Sequence, residues 1–172
     1  MTTSTQTTYS TTSRIRRPIT VAALLLITAT VVWLATSSNM IGDLFNNASG
    51  LSNAMTTWEE QEIDSYSYEL QVSCFCFPDM TRPVNIVVSD GTVQSVAYVD
   101  DGEPADLSLF TAYSTVENLF ERLENAQSDN PATFDVTFDE QYGVPQSVFV
   151  DIDERMADEE IMFTVSNFEA LP

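Results

Sequence analysis

An uncharged apolar run, Ile19 to Ala35, follows Arg14, Arg16 and Arg17 and divides the chain into two unlike parts. Everything before Asp43 carries those three arginines and no acid, whereas everything from Asp43 onward carries all 26 acidic residues against only Arg82, Arg122 and Arg155. As a helix the 17-residue run would reach about 25 Å, close to the ~30 Å hydrocarbon core of a bilayer. It is longer than the apolar core of most signal peptides, and Trp33 stands near its far end, where an interfacial aromatic belongs. With the arginines retained in the cytoplasm, the acidic part is expected outside, in a single-pass arrangement contacting membrane lipid through this helix. The competing reading is cleavage after Ala35-Thr36-Ser37, which would free a secreted domain. The expected organisation is a Ser/Thr-rich cytoplasmic tail over 1–18, a transmembrane or signal-anchor helix over 19–35, a polar linker over 36–57 and an extracytoplasmic domain over 58–172. The linker includes Asn47-Ala48-Ser49, a glycosylation sequon of a kind that often arises by chance.

The net charge of −20 restricts function. Such a surface repels nucleic acid and anionic headgroups, and stays soluble where salt screens its self-repulsion. The chain has no His and no Lys. That removes Ser-His and Cys-His nucleophile pairs, Schiff-base chemistry and a phosphate-binding P-loop lysine. No cofactor is indicated, and an enzyme is hard to support.

The exported part reads as helix, three strands, helix, three strands. Ser52 to Ile63 carries a loose apolar stripe of Ala54, Met55, Trp58 and Ile63. Strict alternation follows: Tyr66, Tyr68, Leu70, Val72, Cys74 and Cys76 on one face, Ser67, Glu69, Gln71 and Ser73 on the other. Val84–Ser89 and Thr92–Val99 flank Asp90-Gly91, a favoured two-residue hairpin turn. Ser114-Thr115-Val116-Glu117 predicts a capping box, opening a helix with Val116, Leu119, Phe120 and Leu123 on its apolar face. Three further strands are marked by Phe134/Val136/Phe138, Val148/Val150/Ile152 and Ile161/Phe163/Val165. The fold class expected is α+β: an antiparallel sheet of about six strands with two helices on one face. Gly91–Val96 echoes Gly143–Val148, which suggests a duplicated helix-plus-three-strands unit.

The order of several short motifs resembles the uncharacterised exported bacterial family 6174 of domains of unknown function. Trp58 precedes Tyr66-Ser67-Tyr68; Cys74-Phe75-Cys76 ends that strand; Pro83-Val84 begins the next. Phe138-Asp139, Tyr142-Gly143-Val144-Pro145 and Ala157-Asp158-Glu159-Glu160 follow. The resemblance covers about Trp58 to Phe168 and implies a small extracytoplasmic α+β domain, without an activity or catalytic residues to carry over. Many relatives are expected to carry a lipoprotein cysteine, which this chain lacks.

Cys74 and Cys76 are the only cysteines. In a regular strand their Cα atoms would lie ~6.5–7 Å apart, at the edge of disulfide reach, so a bond requires a curl at Phe75. Three readings stand: a structural disulfide, two buried thiols on the core face, or a redox or soft-metal role. Asp151, Asp153 and Asp158 are weak candidates for oxygen ligation of calcium, but Arg155 stands where a third ligand belongs and no Gly follows. Tyr66, Tyr68, Phe75 and Phe77 read as core and edge aromatics. The functional expectation is a membrane-tethered, non-enzymatic module binding an envelope protein or other envelope component; the alternative is a thiol–disulfide or metal-linked role at the Cys-Phe-Cys motif.

Overall fold

The computed structural model describes residues 49–156 and 159–172. The expected span at Ile19–Ala35 lies outside them, and no helix among the described residues is long and apolar enough to cross a membrane. Helix α1 occupies 49–60 and inserts Leu51, Ala54 and Trp58 into the core. Residues 49–57 therefore belong to the folded unit, not to the expected linker, because their apolar positions recur at helical spacing and are buried.

Strand β1 (Tyr66–Ser73) buries Tyr66, Tyr68, Leu70 and Val72, as its alternation requires. A single turn of helix, α2 (Pro78–Thr81), separates it from β2 (Val84–Ser89), which pairs with β3 (Thr92–Tyr98) across Asp90-Gly91. Both turn residues have positive φ, 48° and 66°, as a tight hairpin matched to strand twist demands. After two 3-10 turns, Leu107–Leu109 and Thr111–Tyr113, helix α3 (Val116–Ser128) buries Val116, Leu119, Phe120, Leu123 and Ala126. It stops where Asn130 takes a left-handed φ of 55° ahead of Pro131. Strands β4 (Thr133–Phe138), β5 (Pro145–Asp151) and β6 (Ile161–Ala170) complete the chain.

All six strands form one antiparallel sheet in the order β3-β2-β1-β6-β5-β4. Its centre is the pairing of β1 with β6, where Leu70 faces Val165 and Val72 faces Phe163. Apolar side chains from alternate sheet positions and from both long helices form one core cluster, the arrangement expected when helices cover one face of an antiparallel sheet. The first three strands run outward from the centre and the last three run inward from the opposite edge. A tandem copy would give β1 and β4 equivalent places, yet β1 is central and β4 is an edge. The Gly91/Gly143 echo thus relates the two outer hairpins, and the sheet order does not repeat.

The predicted capping box is shifted. Thr115, not Ser114, is the N-cap of α3; its Oγ1 accepts from Asn118 N at 3.2 Å. Glu117 turns inward instead. Its Oε1 accepts from Trp58 Nε1 at 3.0 Å and its Oε2 from Tyr66 OH at 3.2 Å. Tyr66 OH in turn accepts from Val116 N, one of the unpaired donors of the helix start. One carboxylate therefore ties α1, β1 and α3 together. Tyr68 OH closes a second link by donating to Tyr113 O at 2.5 Å. Burial pushes the phenols of Tyr66 and Tyr68 well above the ordinary tyrosine range.

Candidate binding knuckle

Regular pairing of β1 ends at Ser73. The next four residues curl away, and both cysteines are exposed. They do not continue the core-face alternation, because a chain that leaves the sheet loses the period that would point them inward. The curl at Phe75 brings their Cα atoms to 5.2 Å and their sulfurs to disulfide distance. Among the three readings, the one that placed two thiols in the core does not match this geometry. Closing so small a loop removes little freedom from the unfolded chain: three residues give about 1.6 kcal/mol on a chain-entropy basis. The link therefore shapes its own segment far more than it supports the domain.

That segment presents Phe75 and Phe77 to solvent, 96% and 80% exposed. The expectation that they would be core or edge aromatics is corrected, because the loop carries them beyond the sheet. Tyr66 and Tyr68, by contrast, are core. The knuckle adjoins a corner of the uncovered sheet face, where Ser73 of β1 pairs with Met162 of β6 and Met162 pairs with Phe149 of β5. Met162 is 40% exposed. Together with Cys74, Phe75 and Glu160 these residues line an open cleft of about 290 Å³. Phe75, Phe149 and Met162 thus form a contiguous apolar surface and not scattered single residues.

Of the aspartates weighed as oxygen ligands, Asp151 and Asp153 are described, and their surroundings differ. Asp153 accepts from Arg155 Nε at 2.9 Å and from its terminal nitrogen at 2.7 Å. This guanidinium holds the Asp153 carboxyl below the usual carboxylate range. Asp151 stands opposite Thr133 on the open face, with Oδ1 buried and without a hydrogen-bond partner; Asp158 lies outside the described residues. No group of three or more metal-capable side chains occurs among the described residues. The loop after β3 is likewise closed on itself. Asp101 accepts from Glu103 N at 3.0 Å and from Arg82, which lower its carboxyl together. Arg82 also pairs with Asp100 and stacks 3.7 Å over the Tyr98 ring.

No curated protein and no solved structure matches this chain. The ordered motifs, the helix–three strands–helix–three strands succession and a match over residues 50–170 agree, and the chain belongs to DUF6174, a family of unknown function.

Proposed function

We propose that this domain is a non-enzymatic binding module of the cell envelope, tethered by the Ile19–Ala35 segment, which meets a protein partner through the Phe75–Phe77 knuckle. The observation that carries the reading is the exposure of both phenylalanines, with Phe75 beside Met162. Covering the two rings would contribute roughly 3–6 kcal/mol of apolar burial, enough to anchor a contact of modest area. The short Cys74–Cys76 loop restricts the segment before binding, which lowers the ordering cost. The acidity of the chain disfavours an anionic bilayer as the occupant.

The test is a photo-crosslinking side chain installed at Phe75 or Phe77, with Gln94 on the β2–β3 hairpin as control, in the native cell. A discrete adduct at the knuckle that is absent at Gln94 supports the module. Equal adducts at all three positions, or none, would remove the knuckle as its contact surface.

One observation favours a second reading, thiol–disulfide exchange: the paired cysteines are exposed and close a loop of minimal size, and exposed disulfides are the labile class. In that reaction a substrate thiolate attacks one sulfur and forms a mixed disulfide. A second substrate thiolate then resolves it, leaving Cys74 and Cys76 as thiols and the substrate oxidised. Cys76→Ser leaves Cys74 as a thiol and runs the exchange from the other side: the Cys74 thiolate attacks the disulfide of an oxidised substrate, releases one substrate thiolate and stays linked to the other sulfur. That adduct, alongside loss of partner contact in the double Ser variant, would favour exchange over simple binding.

A further inference from the structure

Arg122 is a cation without an anion in a chain rich in acids. The other two arginines of the domain are engaged, Arg82 by Asp100 and Asp101, and Arg155 by Asp153. Arg122 has no carboxylate at ion-pair distance among the described residues, and its Nε is buried without a hydrogen-bond partner. Its guanidinium carbon stacks 4.7 Å over the Tyr113 ring, which fixes the plane of the group and leaves its donors unspent. A buried donor without an acceptor is costly unless something supplies one.

Nε itself is closed to solvent, so an acceptor reaches the group through its terminal nitrogens, from a cleft of about 370 Å³ between α3 and the start of β6. Asn118, Arg122 and Asn125 line it along the helix, and Ile152 and Ile161 form its apolar side. Asn118 is oriented by its neighbours: its Oδ1 accepts from Ser114 Oγ at 3.3 Å and Thr115 Oγ1 at 2.9 Å. The NH2 end of that amide is left as a second donor. Donors at one end of a cleft, with aliphatic side chains beside them, suit a carboxylate on a short aliphatic body. Glu121 and Asp129 border the same cleft, and their charge opposes a dianion such as phosphate more strongly than a single carboxylate.

We propose that this cleft binds the carboxylate of a small aliphatic monoacid, held by the Arg122 fork and the Asn118 amide. The same chemistry is offered by a free short-chain acid and by the C-terminal residue of an apolar peptide. The site is distinct from the Phe75–Phe77 knuckle and does not depend on it.

The test uses the nitrogen-15-labelled full-length chain in neutral detergent. With six arginines and no lysine, its Arg Nε–Hε signals are few. Isovalerate, N-acetyl-leucine, N-acetyl-leucine amide and inorganic phosphate are titrated in turn. The expected result is a saturable shift of the Arg122 signal with isovalerate or N-acetyl-leucine and none with the amide. Affinity, read in every variant from the Asn118 side-chain amide signal, should fall at least about tenfold in Arg122→Gln, the loss of a charge-assisted pair. Should that variant unfold through loss of the Tyr113 stack, Arg122→Lys keeps the charge but not the fork, and a severalfold loss is expected. Tighter binding of N-acetyl-leucine assigns a peptide C-terminus; tighter binding of isovalerate assigns a free acid. An unmoved Arg122 signal, affinity unchanged in the folded variants, or phosphate binding more tightly than both carboxylates would overturn the proposal.

Discussion

Replacing Gly143 with alanine tests how closely the β4–β5 turn is pressed onto α1. Gly143 has a φ of +76°, and a Cβ built on it would stand 2.3 Å from the Ala54 carbonyl oxygen and 3.1 Å from Thr57 Cβ. The first obstacle is backbone, not the end of a movable side chain. Ala54 itself is buried, as are Leu51 and Trp58 on the same helix. The turn is equally constrained: Gly143 N donates to Asp139 O at 2.9 Å, while Asp139 Oδ1 accepts from Gln141 N at 2.9 Å and Tyr142 N at 2.7 Å. A left-handed alanine costs about 1–2 kcal/mol, and forcing a methyl against packed backbone adds about 1–3 kcal/mol. The expected loss is about 3 kcal/mol, or a fall in melting temperature of about 12 °C for a domain of this size. Urea unfolding followed by circular dichroism, at constant high salt to screen the net charge, gives the number. Gly91→Ala is the control, since its φ is +66° with nothing within 4 Å of the added Cβ; it should lose only the conformational part. If Gly143→Ala and Gly91→Ala agree within about 0.5 kcal/mol, α1 does not press on this turn as described.

Three further outcomes are expected. Glu117→Ala should cost about 2 kcal/mol and red-shift Trp58 emission, because it strips the acceptor from Trp58 Nε1 and Tyr66 OH together; an unchanged spectrum would mean the bridge is not formed in solution. Stability should fall as pH rises above about 10, the unfolded tyrosine value: there the unfolded chain releases protons that buried Tyr66 and Tyr68, with raised pKa values, still hold. Tyr68→Phe should flatten that alkaline slope in calorimetry, and an unchanged slope would remove Tyr68 as a source. Replacing Cys74 and Cys76 with serine should lower stability by no more than about 1.6 kcal/mol and leave the far-ultraviolet spectrum intact; a loss beyond 3 kcal/mol would show that the loop supports the core.

What the sequence by itself determined is local. The two-residue period of Tyr66–Val72, the three-to-four-residue spacing of Val116–Leu123 and the Asp90-Gly91 turn each follow from backbone geometry within a few residues. They identified the elements, their buried faces and, through the order of the motifs, the family. Tertiary structure decided what depends on distant partners. Leu70 meets Val165 across 95 positions, and no periodicity names that neighbour. Glu117 looked like a cap and became a bridge because Trp58 and Tyr66 arrive beside it. Cys74 and Cys76 continued an alternating pattern on paper, but the strand stopped at Ser73 and turned them, with Phe75 and Phe77, into solvent. Arg122 carried no signal at all, since a cation matters only when packing denies it an anion. Side-chain period encodes which face a residue takes; which surface that face meets is set by the non-local pairing of the whole sheet.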